Sequence, residues 1–125
     1  MHARKFVMAV AVAMTLLMAA PAVAFGAWGA IAANGHTLVW GKSWGYSTKF
    51  GAEQRALAEC RSAPHGDGGC QGVIVYKNEC GAVFENRART KFFFAFGFSK
   101  RSAKRKVRRA HPTAIFLTAG CATHG

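Results

Sequence analysis

Seven Lys and Arg residues fall within ten positions: Lys100, Arg101, Lys104, Arg105, Lys106, Arg108 and Arg109. Cations at that density bind phosphates and other fixed anions. On a helix, Arg101, Lys104, Arg105 and Arg108 share one face and Ala103, Val107 and Ala110 share another. The expected partners are anionic surfaces or polymers (lipid headgroups, lipopolysaccharide, acidic wall polymers) or a protein, with nucleic acid less favoured. A basic face that is merely solvated is the competing reading. The same stretch fits the composition of a nuclear-localisation signal, which export from the cell would contradict.

A second candidate is aromatic. Trp28, Trp40, Trp44 and Tyr46 offer a stacking platform for sugars or bases, with Lys42 and Lys49 nearby for anionic groups. Aromatics at period two in a hairpin equally serve as core or cross-strand pairs.

Catalytic chemistry has little to work with. The acids are Glu53, Glu59, Asp67, Glu79 and Glu85, and the two on one helical stretch, Glu53 and Glu59, are six apart and do not share a face. His36, His65, His111 and His124 lie scattered without a metal-ligand spacing, and His111 before Pro112 reads as a helix C-terminal residue. No catalytic residue, metal or cofactor is expected, and a small wall-directed hydrolase is the minor alternative.

Cys60, Cys70, Cys80 and Cys121 have spacings of 10, 10 and 41, contain no CxxC and match no zinc finger. An even count in an exported chain reads as two disulfides. Export is indicated by residues 1–24: His2, Arg4 and Lys5 precede an apolar run from Phe6 to Ala20, and Ala22, Val23, Ala24 form a cleavage site ahead of Phe25. The run is about 15 residues where a membrane span needs about 20. Cleavage leaves a product that does not span the membrane, secreted or periplasmic, with net charge +10 on 101 residues, since the leader holds two of the 17 Lys and Arg and none of the five acids. That length supports one domain, 25–125, small enough for covalent ties to matter.

The elements that position these residues follow from pattern. Trp28 to Ala33 is apolar, Asn34-Gly35 signals a hairpin turn, and Thr37 to Trp44 is β-favouring. Ser47 or Thr48 caps a helix from about Lys49 to Cys60, with Ala52, Ala56 and Cys60 at four-residue steps. Arg61 to Gly69 is loop by composition, and Val73 to Tyr76 is a buried strand that Gly81 to Phe84 extends or turns. Glu85 to Lys91 reads as an exposed connection. Phe92 to Phe98 is strongly β-favouring and is expected to be central or covered, because an apolar edge invites aggregation. Ser99 caps a helix over Lys100 to Ala110, Pro112 interrupts, and Ala114 to Ala119 is a further strand.

The second half repeats the first. Residues 44–48 match 96–100 at an offset of 52, with Lys49 as the other counterpart of Lys100, and 73–80 match 114–121 at an offset of 41, as if one loop had been deleted. The halves fall at roughly 28–84 and 91–121. The expected fold is α+β, two ββαβ-like pseudo-repeats forming an antiparallel sheet with two helices, stapled by disulfides. Cys60 and Cys70 would close the loop the second half lacks, and Cys80 and Cys121, at equivalent positions, would meet across an approximate twofold axis. Those pairs are therefore the expected connectivity.

Trp28-Gly29-Ala30-Ile31-Ala32, then Gly41-Lys42-Ser43-Trp44-Gly45-Tyr46-Ser47-Thr48-Lys49, then Ala52-Glu53 and Ala56-Leu57 leading to Cys60, Cys70 and Cys80-Gly81-Ala82, resemble the exported bacterial family known as domain of unknown function 4189. The resemblance covers Trp28 to Cys121 and implies a small secreted or periplasmic protein, without implying an activity. The family's second helix is usually Ala-rich, whereas here it is the most basic stretch of the chain. The functional expectation is a non-catalytic binding module for an anionic surface or protein partner, with a secreted factor acting on a host or competitor, such as an enzyme inhibitor, as the other alternative.

Overall fold

The computed structural model describes residues 26–125; the leader peptide and its cleavage before Phe25 lie outside them. The chain runs β1 (Trp28–Asn34), β2 (Trp40–Tyr46), α1 (Lys49–Ser62), β3 (Cys70–Lys77), β4 (Cys80–Glu85), β5 (Phe92–Gly97), α2 (Lys100–Ala110) and β6 (Ile115–Cys121). This is an α+β fold of two ββαβ units. The strands divide between two three-stranded antiparallel sheets, ordered β2-β1-β3 and β5-β4-β6.

Alternation along the central strands creates a four-layer stack. Ala30 and Ala32 face α1 and pack on its buried Ala52, Ala56 and Cys60. Ile31, between them, points the other way and joins Ile74, Tyr76 and Val83 in the core between the sheets, with Phe92, Phe96 and Leu117 against it. In the second unit Ala82 and Phe84 pack on Ala103 and Val107 of α2, while Val83 faces inward. Period two on each central strand thus serves two cores at once. Each helix starts where a hydroxyl accepts an orphan amide: Thr48 Oγ1 from Gly51, Ser99 Oγ from Ser102, both 3.0 Å.

The inter-sheet core is built around Tyr76. Cβ atoms on Gly29, Gly81 and Gly120 would approach its ring or hydroxyl to within 2.5 to 2.9 Å, so three strands must be glycine where they pass it. The Tyr76 hydroxyl is buried with no hydrogen-bond partner among the described residues, and burial holds its pKa well above the ordinary value.

Ladder register locates the repeat. Trp28–Asn34 (WGAIAAN) corresponds to Cys80–Asn86 (CGAVFEN) at an offset of 52, and both central strands slip register at the same point, between Ile31 and Ala32 and between Val83 and Phe84. Lys77 lies opposite Trp28 as Cys121 lies opposite Cys80, so β3 and β6 correspond at an offset of 44. The offset of 41, which equated Cys80 with Cys121, is corrected. Cys80 opens the second unit, which begins at β4, and the boundary between the halves lies between Lys77 and Cys80 instead of after Phe84. The cause is Asn78, whose left-handed backbone (φ 55°) ends β3 and whose Oδ1 accepts from Ala27 N at 2.9 Å, turning the chain from one sheet into the other.

The disulfides join Cys60 to Cys70 and Cys80 to Cys121. The first spans the loop after α1. The second links directly opposed residues on neighbouring strands β4 and β6, so adjacency in one sheet brings these sulfurs together. Both bonds place the domain in an oxidising compartment. Among the described residues no helix is long and apolar enough to cross a membrane.

Three local expectations change. The hairpin turn follows Asn34, and β2 starts only at Trp40, after Leu38 adopts a left-handed backbone (φ 61°). β5 is an edge strand; the centre belongs to β4, whose small residues let α2 dock. The edge is nevertheless covered on both faces, Phe92 and Phe96 entering the inter-sheet core and Phe93 and Ala95 meeting α2, and Lys106 Nζ of α2 donates to Phe96 O at 2.7 Å. Glu85 is not in an exposed connection but is the buried last residue of β4, 1% exposed.

Candidate functional site

Helix α2 buries Ala103 and Val107 against the sheet; Ala110, assigned to the apolar face by sequence, is exposed. Two buried positions suffice because β4 presents Ala82 and Phe84 beneath them. The remaining surface is cationic. Lys100, Arg101, Lys104, Arg105 and Arg108 line one shallow depression of about 570 Å3. Arg109 is exposed in the last turn.

No Asp or Glu side chain relieves this charge: among the described residues the one ion pair between side chains, Arg55 with Glu59, is on α1. Lys104 Nζ and Arg108 Cζ lie 4.4 Å and 5.4 Å from the ring centroids of Phe116 and Phe84, which fixes both stems against the second sheet. Lys100 and Lys104, Arg101 and Arg105, and Lys104 and Arg108 repel at i,i+4. Lys100 and Arg101 also sit at the helix N-terminus, where the backbone dipole disfavours positive charge. Tertiary docking therefore holds a helix that is electrostatically poor on its own.

The aromatic candidates separate. Trp40, Trp44 and Tyr46 line a second depression of about 570 Å3 together with Lys42, Arg55 and Glu59. Trp28 does not; it packs beside the α1 core, with Lys77 Nζ 5.5 Å from its ring centroid. Trp40 and Trp44 are 38% and 48% exposed, more than core residues would be. On edge strand β2 they share a side with Lys42, while Gly41 and Ser43 face α1, Gly41 because the helix backbone leaves no room for a Cβ.

The cationic and aromatic surfaces adjoin. Lys42 Nζ donates to Ala119 O at 3.1 Å, and its pKa is lowered first by burial and then by the charge of Lys100. Lys100 Nζ in turn donates to Gly125 O at 2.6 Å, and a Cβ on Gly125 would lie 3.0 Å from the Trp44 ring. Phe98, immediately before the α2 cap, stands 90% exposed. The result is a cationic helix flanked by unburied aromatic rings.

The family model for Domain of unknown function (DUF4189) matches residues 28–122, from the first residue of β1 to the residue after Cys121. The chain belongs to the DUF4189 family. The NMR structure of Rv1813c from Mycobacterium tuberculosis is similar, at 26% identity and a TM-score of 0.53, covering 78% of this chain and 75% of that one. No curated protein matches. The DUF4189 match thus takes in both ββαβ units and both disulfides.

One chemically distinctive residue of this DUF4189 chain escaped the sequence reading. Glu85 lies at the floor of a cleft of about 670 Å3 between the β1–β2 turn, β3 and β5; its Oε2 is buried without a partner among the described residues. Desolvation raises its pKa above the ordinary 4.5, opposed by Arg89 and then His36. The available signal was its repeat partner: Glu85 corresponds to buried Ala33 at the offset of 52.

Proposed function

We propose that this protein is a non-catalytic binding module, secreted or periplasmic after removal of an export leader, that attaches to a phosphate-bearing anionic surface through α2. The observation that carries the reading is the array of five cations lining one depression, Lys100, Arg101, Lys104, Arg105 and Arg108, none paired with an Asp or Glu side chain among the described residues, beside the 90% exposed Phe98. Cations fix headgroup phosphates while Phe98 and Trp44 enter the interfacial layer, a combination that favours a lipid surface over a soluble polymer. The two disulfides support a role outside the cytoplasm.

Co-sedimentation of the oxidised domain with vesicles tests this. Phosphatidylglycerol vesicles should retain it at low salt and release it steeply as salt rises, and phosphatidylcholine vesicles should not bind it. Replacing Lys104, Arg105 and Arg108 by Ser should abolish retention with folding intact. Equal retention by the triple variant, or salt-independent binding typical of an apolar protein interface, would remove the reading.

A further inference from the structure

The cleft lined by Glu85 is separate from the α2 surface. Its floor is a carboxylate that is 1% exposed and has one oxygen without a hydrogen-bond partner among the described residues. A buried acceptor in that state costs stability unless something donates to it. The other oxygen, Oε1, lies beside Gly35, where a Cβ would be 3.6 Å away at ordinary contact distance, and a Cβ on Gly72 would meet nothing within 4 Å. The rim carries Arg89, Lys91 and His36, all exposed, and Phe94 presents a ring that is 51% exposed.

These groups make complementary demands. The floor calls for an O–H or N–H donor. The two rim cations outnumber the one carboxylate, which disfavours a cationic ligand and favours one that carries a negative charge of its own. The half-exposed Phe94 ring offers an apolar face of the kind on which the C–H side of a pyranose lies. We infer that this cleft binds an acidic saccharide unit, with a sugar hydroxyl donating to Glu85, a carboxylate on the sugar paired with Arg89 and Lys91, and the ring laid on Phe94. Neither a simple anion nor a neutral sugar meets all three demands.

The test is an NMR titration of the oxidised domain carrying Lys104→Ser, Arg105→Ser and Arg108→Ser, so that the basic helix does not compete for the polyanion. Tetragalacturonate should shift the amides of Gly35, Gly72, Arg89 and Phe94 together and saturably. Its carboxyl-reduced counterpart and acetate should each bind at least about tenfold more weakly. Glu85→Gln should weaken binding about tenfold, as should Arg89→Ser; Phe94→Ala should weaken it less. The Arg89 and Phe94 changes lie at exposed positions and report independently of any rearrangement around Glu85. Shifts confined to other surfaces, equal binding of the reduced sugar, or unchanged affinity in Arg89→Ser and Phe94→Ala would each overturn the assignment. Since Lys104, Arg105 and Arg108 are replaced throughout, such a failure would leave the vesicle result unaffected.

Discussion

A Cβ on Gly81 would lie 2.9 Å from Cδ1 of Tyr76, inside the space that the aromatic ring already fills. Gly81 is on β4 and Tyr76 on β3, so this contact joins the two sheets, and Gly29 and Gly120 confine the same ring from β1 and β6.

Gly81→Ala should therefore act as an overpacking change. The Ile74 terminus, which a new methyl would also meet, can rotate away, but Tyr76 has no free side toward which to move. The expected loss is about 1–3 kcal/mol, read as a lower midpoint in guanidinium unfolding with an unchanged slope. A midpoint equal to that of the parent would mean the sheets separate more easily than this packing implies.

Much of this architecture was legible because it is local. Ser47 or Thr48, of which Thr48 is the cap, and Ser99 announced the helix starts, Pro112 the end of α2, and Val73 to Tyr76 a buried strand. What was not legible depended on which strand neighbours which. Whether Gly81 to Phe84 extends or turns the strand before it stayed open in the sequence; the Asn78 turn makes it the centre of another sheet. The Phe-rich strand was expected to be central or covered, and it is the covered edge: its bulk packs on two faces, whereas the middle needs the small Gly81 and Ala82. The cation cluster was visible as composition, but its junction with Trp44 through Lys42, Lys100 and Gly125 needed the third dimension. Glu85 was hidden for the opposite reason: a charged residue beside a polar loop is ordinarily outside.

Glu85 gives the domain a signature in pH. Its folded pKa is raised above 4.5, chiefly by burial, with Arg89 and His36 opposing. The folded state therefore holds its proton more firmly than the unfolded chain, and this group's contribution is favourable below about pH 4.5 and is lost as pH rises through the folded value. Glu85→Gln should remove that dependence, leaving the variant more stable than the parent at pH 7 and close to it at pH 4. Thermal unfolding at the two pH values decides; a parallel offset at both would show that the carboxyl is not the titrating group.

On α2, charge relief and ligand attachment should move in opposite directions. Arg105→Glu replaces like-charge spacing to Arg101 and Arg109 with two favourable i,i+4 pairs, each worth about 0.2–0.5 kcal/mol at low salt. The expected outcome is a slightly higher Tm at low ionic strength, an advantage that shrinks as salt is added, together with weaker retention on phosphatidylglycerol vesicles. A variant both less stable and fully retained would contradict both halves of the expectation.

The four-layer order sets the two helices on opposite outer flanks. Helix α1 mixes Lys49, Arg55 and Arg61 with Glu53 and Glu59, while α2 has seven cations and no acid. The molecule therefore carries a permanent electric moment running through its layers, and a charged boundary exerts a torque on it before any contact is made. Within roughly 10 Å at 0.1 M salt, where that field persists, the protein arrives with one flank leading, and the near-neutral flank is the one left for the surroundings to meet.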